Sequence, residues 1–186
     1  MAYRKNYRKD QEIIMIAAVS RNNVIGIEGK IPWKLPQDMK RFANLTRSHP
    51  IIMGRVTYES IPKQFRPLPN RQNVVLTTDT SFHEDGVYVA RSSEGLAVAL
   101  EDALDVLEER SVRKDGINYS KIFICGGQKV YEAAMPYVTS LEITHVHQQV
   151  EGREMRYFPK IDREKVWQEQ QREDREGYSF VTYKRR

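Results

Sequence analysis

Asp38 is the residue in this sequence best placed to do chemistry. It follows Ile31-Pro32-Trp33-Lys34-Leu35-Pro36 and stands in the first turn of a helical pattern from Gln37 to Arg47. A carboxylate there is favoured by the helix dipole, and capping alone would explain a lone Asp. However, Phe42 and Leu45, at i+4 and i+7, share its face, so the carboxylate sits on an apolar stripe. A partly buried carboxylate is costly without donors. A ligand with two adjacent N–H groups would supply them as a charge-assisted pair. The stretch from Val24 to Pro36 reads as a long loop before this helix, and such loops often cover active sites. A Trp between two prolines fits a pinned surface loop as well as a site cover.

Two turns carry a second kind of chemistry. Gly126-Gly127-Gln128-Lys129-Val130-Tyr131 follows an apolar run and opens a helical pattern, while Gly54-Arg55-Val56-Thr57 places glycine, a cation and a hydroxyl at another strand end. Glycine lets backbone approach a phosphate, and free N–H groups at a helix start can receive it. Neither is the three-glycine dinucleotide fingerprint, and a tight turn explains each singly. Together they suggest a ligand with several phosphates lying across the carboxyl edge of a sheet.

The elements that would position these residues are legible as hydrophobic runs. Ile13 to Val19 is continuous and β-branched, as in a strand buried on both faces. Pro50 to Met53, Asn73 to Thr77 and Lys121 to Cys125 repeat the pattern. Helical periods fill Glu94 to Glu109, with Leu96, Leu100, Ala103, Leu104 and Leu107 on one stripe, and Gln128 to Ala134, ended by Pro136. Leu141 to Val150, Val166 to Arg172 and Tyr178 to Lys184 read as strands without intervening helices. The expectation is a single α/β domain with a mixed, mostly parallel central sheet, helices on both faces and an antiparallel C-terminal edge hairpin. It would span residues 13–186, behind a basic, poorly ordered tail at 1–12 that carries Arg4, Lys5, Arg8 and Lys9.

Composition narrows the function classes. The chain has 186 residues, 40% hydrophobic and 30% charged, with net charge +5 and pI about 9.3. That is ordinary for a globular enzyme and compatible with small anionic ligands. A basic nucleic-acid module would show an Arg/Lys stripe interleaved with aromatics, whereas here cations alternate with acids, as in Arg172-Glu173-Asp174-Arg175-Glu176. Cys125 is the lone cysteine, so no intrachain disulfide or Cys-based zinc site forms, and no metal is expected. The apolar run at Ile13 is too short to span a bilayer, and the start lacks a secretory h-region, so the expectation is a cytoplasmic protein without membrane or nucleic-acid partners.

As an ordered set, the segments resemble the dihydrofolate reductase family. The matching pieces are Ile16-Ala17-Ala18, Val24-Ile25-Gly26, Pro32 through Asp38 with Phe42, Ile52 through Ile61, Pro67-Leu68-Pro69-Asn70-Arg71, Ile124 through Gly127 with Val130-Tyr131-Glu132, Thr144-His145 and Tyr157-Phe158-Pro159. The resemblance implies NADPH-dependent reduction of 7,8-dihydrofolate to tetrahydrofolate in a monomer open to antifolate inhibitors. It makes Asp38 the carboxylate that pairs with the pterin 2-amino group and neighbouring ring nitrogen, aiding protonation of N5 through water. Thr144 would orient Asp38 and Trp33 would close the pocket. Ile16, Ala17, Met39, Phe42, Ile61, Leu68, Cys125 and Tyr131 would line the substrate groove, and Arg71 would pair with the substrate's α-carboxylate.

On the cofactor side the resemblance implies Ala18, Ile25 and Gly26 beside the nicotinamide. Gly54, Arg55, Val56, Thr57 and the run from Cys125 through Tyr131 would hold the pyrophosphate. Leu76, Thr77, Thr78 and Arg91 would surround the adenosine and its 2′-phosphate. Gln128 and Lys129 depart from common members at the glycine turn, leaving its backbone geometry open, and Thr78 lacks a cation some members carry. The segment Arg110 to Tyr119 reads as a charged surface loop. A riboflavin-pathway pyrimidine reductase shares the fold and cofactor, but should lack the Trp33-to-Asp38 pattern and the Arg71 turn.

Overall fold

The computed structural model describes residues 11–111 and 115–186. The basic tail lies outside these residues except for Gln11 and Glu12, and Glu12 already belongs to the first strand. The strands are β1 (Glu12–Ser20), β2 (Val24–Ile27), β3 (Pro50–Gly54), β4 (Gln72–Thr77), β5 (Tyr88–Arg91), β6 (Lys121–Ile124), β7 (Ser140–Val146), β8 (Met155–Tyr157), β9 (Trp167–Arg175) and β10 (Tyr178–Arg185). The helices are α1 (Pro36–Thr46), α2 (Arg55–Ser60), α3 (Leu96–Arg110) and α4 (Gln128–Ala134).

Eight strands form one sheet in the order β5-β4-β3-β6-β1-β7-β10-β9. Every pair from β5 to β7 is parallel, and β10 turns the sheet antiparallel against both β7 and β9. This is the expected mixed sheet with its edge hairpin. The apolar run of β1 is needed because helices cover both faces. Ile13 and Met15 face Leu100, Ala103, Leu104 and Leu107 of α3 and Val130 of α4. Ile14 and Ile16 alternate onto the other face, with Ile51, Met53, Val75 and Phe123, against Tyr58 of α2 and Phe42 and Leu45 of α1.

Three expectations need correcting. The stretch Val24 to Pro36 is not all loop, because Val24–Ile27 pairs with β8 in a separate two-stranded sheet. Glycine at position 26 and the short length hid this strand. The strand expected over Leu141 to Val150 stops at Val146, where β10 ends its pairing at Tyr178. The segment after Arg110 is more than surface loop: Tyr119 is buried in the core and donates to Asp115 at 2.8 Å, and the Asn118 N–H bonds the Ser48 carbonyl at 2.7 Å. Residues 112–114 of that segment lie outside the described residues.

Leu104 is buried to 1% exposure on the stripe of α3 that supports β4 and β5. Leu104→Ala should therefore cost about 2–5 kcal/mol. Urea unfolding should show a lower midpoint with an unchanged slope, the sign of lost stability without altered cooperativity.

Candidate active site

The strand register sets the expected site residues in a row. At the C-terminal edge of the parallel strands, Arg91 pairs with Thr77, Leu76 with Gly54, and Ala18 with Thr144. Between them the Gly54 N–H bonds the Gly126 carbonyl at 2.8 Å, joining the turn after β3 to the turn after β6. The row crosses most of the sheet, so a long ligand could touch every strand end.

Asp38 stands over the β7 end of this row. α1 begins at Pro36, which tolerates a helix start because its missing N–H would have no intrahelical partner. No side chain caps the helix, and Asp38 turns instead to the sheet, where Thr144 Oγ1 donates to its Oδ1 at 2.5 Å. Simple capping is therefore not its role in the fold. Burial pushes the Asp38 carboxyl above its ordinary value, and the Thr144 hydrogen bond and the Arg41 charge pull part of that back. One carboxylate oxygen has a donor and the other has none among the described residues.

Apolar side chains fill the layer between α1 and the sheet. Phe42, Ile61, Leu68 and Cys125 all pack against the cluster on the α1 face of the sheet. Met39 lies at 62% exposure on the outer side of α1, open to a ligand rather than to the core. Ile31, at 62%, and the half-buried Trp33 belong to the covering loop. Tyr131 is buried and donates to the Ile16 carbonyl at 2.8 Å, which holds α4 against β1. Burial pushes its phenol well above the ordinary value, and it pushes the Cys125 thiol up to about 12, so neither ionises at working pH.

Arg71 is fixed between α1 and the turn that leads into β4. Its Nε bonds Thr46 Oγ1 at 2.8 Å, Nη1 the Pro69 carbonyl at 2.7 Å and Nη2 the Ala43 carbonyl at 3.2 Å. The guanidinium is thus fixed by neutral acceptors, and no carboxylate pairs with it among the described residues. Burial lowers its pKa, but a guanidinium keeps its charge, so it stays cationic.

The glycines of the two turns are required by close packing within the protein itself. A Cβ on Gly54 would lie 3.1 Å from Val130 Cγ2, and one on Gly127 would lie 3.2 Å from Thr57 Oγ1. Gly126 has φ +116°, a conformation that side chains rarely adopt, against the Tyr131 ring. The departure at Gln128 does not disturb this turn. Its side chain points away, donating to Glu132 at 2.9 Å and accepting the Tyr157 N–H at 2.9 Å. The bond ties α4 to β8, and through β8 to β2 and Ile25.

Other expected cofactor residues are placed but already engaged. Arg55 pairs with Glu59 at 3.0 Å on the exposed side of α2, beside the 68%-exposed Val56. Arg91 is held to the Phe82 carbonyl at 2.7 Å. Thr77 is buried and accepts the Asp79 N–H at 3.0 Å, while Thr78 and Lys129 are exposed. Two residues beside Asp38 escape the sequence reading. Arg41 hydrogen-bonds Glu142, and both are mostly buried. The signal was available as spacing: Arg41 is one helical turn after Asp38, and Glu142 is two strand positions before Thr144.

Comparison with known proteins agrees with this geometry. A family model described as dihydrofolate reductase matches residues 12–185. The chain is 40% identical over 174 residues to the dihydrofolate reductase HdrB of Haloferax volcanii, covering 93% of this chain and 83% of that protein. It is 34% identical over 181 residues to the dihydrofolate reductase of Bacillus subtilis, covering 94% and 95%. A solved structure of dihydrofolate reductase from Enterococcus faecalis, complexed with NADP(H) and RAB-propyl, aligns with a TM-score of 0.74 at 30% identity, covering 95% of this chain and 97% of the other.

The raised Asp38 value makes a stability prediction with a definite sign. A carboxyl whose folded value lies above its unfolded one destabilises the fold at pH above the folded value. The penalty vanishes below the ordinary value of 3.8, where both states are protonated. Asp38→Asn should therefore raise the thermal midpoint of the ligand-free protein at neutral pH. The gain should shrink towards acid pH, as followed by circular dichroism.

Proposed function

The chain belongs to the dihydrofolate reductase family, and on that footing we propose that Asp38 is the anchor on which its reduction of 7,8-dihydrofolate depends. The protein is an NADPH-dependent oxidoreductase that yields 5,6,7,8-tetrahydrofolate. The observation that carries the site assignment is the partly buried Asp38 carboxylate, with Thr144 on one oxygen and the other without a donor among the described residues.

When bound, NADPH supplies the hydride that C6 of the pterin receives. The backbone of the turns at Gly54 and Gly126-Gly127 would hold it, with Thr57 and, once released from Glu59, Arg55 at its phosphates. Ala18, Ile25 and Gly26 would flank its reactive ring. The remaining work falls to this chain's own side chains. Asp38 accepts hydrogen bonds from the 2-amino group and adjacent ring nitrogen, which orients the pterin and draws a proton towards N5 through water. Thr144 keeps the carboxylate facing the groove. Trp33 and its loop exclude bulk water, which strengthens each polar contact. Phe42, Ile61 and Leu68 pack the middle of the substrate, and Arg71 pairs with the terminal α-carboxylate.

The same features argue for a monomer that binds no nucleic acid. Beyond Trp167 the edge strand β9 is exposed along its length, and its charges are paired within the strand, Arg172 with Glu169 and Asp174, and Arg175 with Glu173. A charged edge resists strand addition and offers no uniform basic stripe. No helix among the described residues is long and apolar enough to cross a membrane. A cytoplasmic location is proposed from the single cysteine and the cofactor.

NADPH oxidation followed by absorbance should require dihydrofolate. Asp38→Asn should lower turnover at neutral pH by roughly 100-fold or more, the scale of a lost proton-transfer aid, while NADPH binding is retained. Full activity in that variant would contradict the assignment. Arg71→Leu should leave kcat near its original value and raise KM about 10- to 100-fold, as expected for a lost charge-assisted hydrogen bond.

A further inference from the structure

α1 and β7 meet at two polar contacts, and the reaction described above uses one of them. The helix advances about 4.5 Å from Asp38 to Arg41, and β7 runs back about 6.6 Å from Thr144 to Glu142. The two spacings are close enough for both pairs to meet. Thr144 donates to Asp38, and Arg41 Nη2 donates to Glu142 Oε2. β10 supports the second contact from beneath. Thr182, the register partner of Glu142, donates to the same Oε2 at 2.9 Å. Phe180, the register partner of Thr144, lies with its ring 4.8 Å from the Arg41 guanidinium carbon.

A half-buried ion pair contributes little to stability, because desolvation offsets its attraction, and apolar side chains could hold the two elements equally well. The arrangement is also unbalanced. Arg41 Nη1 is buried without a hydrogen-bond partner among the described residues. Arg41 stands one helical turn after Asp38 on α1, where its charge favours the Asp38 carboxylate, and Glu142 is paired with Arg41.

We propose that Arg41 is a positioning residue for the reductase reaction and that Glu142 moderates it, the pair setting how firmly Asp38 holds its negative charge beneath the pterin. This rests on the reading of Asp38 as the pterin anchor. The other groups facing Asp38 do not compete in the pH range concerned. Tyr131 from α4 and Cys125 after β6 stay protonated, and Thr144, Phe180 and Thr182 carry no charge.

The test is the pH dependence of single-turnover hydride transfer, whose rate falls as the Asp38–pterin unit loses its proton. Arg41→Gln removes the cation, so the midpoint should move to higher pH. Glu142→Gln leaves the cation unopposed, so the midpoint should move to lower pH. At a fixed pH above the original midpoint the two variants should differ by about threefold in rate, the effect of roughly half a pH unit. Arg41→Lys should keep the midpoint near the original, because it retains the charge. A purely structural pair predicts that both Gln variants lose thermal stability with the midpoint unmoved, and that result overturns the proposal. Should Arg41→Gln not fold, a midpoint that fails to fall in Glu142→Gln overturns it alone. Asp38→Asn, run in parallel, separates the two failures. Full activity there removes the anchor itself, whereas lost activity with unmoved midpoints in the Gln variants removes the Arg41–Glu142 role alone.

Discussion

A partly buried carboxylate on an apolar helix face is the constraint around which the site is arranged. Burial penalises the charge of Asp38, and the fold answers with one hydrogen bond from Thr144 and the nearby Arg41 cation. Both answers depend on β7 lying beside β1 and antiparallel to β10, because that register places Thr144 and Glu142 on the face that meets α1. The remaining cost is unrelieved in the free protein. It leaves one oxygen without a protein donor among the described residues, the acceptor to which the proposed ligand's adjacent N–H groups would donate.

The sheet edge solves a different problem with different means. Where two turns and a helix start crowd together, side chains have to be absent, and Gly54, Gly126 and Gly127 supply that absence at neighbouring strand ends. The elements behind them are rigid: Tyr131 is bonded to the β1 backbone, and Val130 fills the space beside Gly54. Gln128 extends this rigidity to β8 and thus to the strand that leads into the Trp33 loop. The Arg71 guanidinium follows the same logic, being oriented by carbonyl and hydroxyl acceptors that do not neutralise it.

Much of this was legible in the sequence, for identifiable reasons. Strands buried on both faces leave unbroken apolar runs, so β1, β3, β4 and β6 could be located from composition alone. The stripe of α3 and the glycine-to-helix turns were equally direct. The short strands β2, β5 and β8 were not, since three or four residues carry too little alternation to register. Tyr119 was missed because it is a single core residue in a charged segment with no periodic pattern. At the site, Asp38 stood out by its apolar neighbours, and Thr144 entered through family likeness. Arg41 and Glu142 belong to no motif that sets them apart in the sequence. Only the packing of a helix on a strand shows that their spacings coincide.

The central claim is that Asp38 is a desolvated carboxylate waiting for N–H donors, and carboxyl-carbon NMR addresses it most directly. The Asp38 resonance would be titrated through the acid range in the free protein and again in the presence of NADP+ and dihydrofolate, a combination that does not turn over. The account predicts a midpoint above the ordinary carboxyl value in the free protein, and a fall of that midpoint when the ligand's N–H groups favour the charged form. An ordinary midpoint that does not respond to ligand would contradict it.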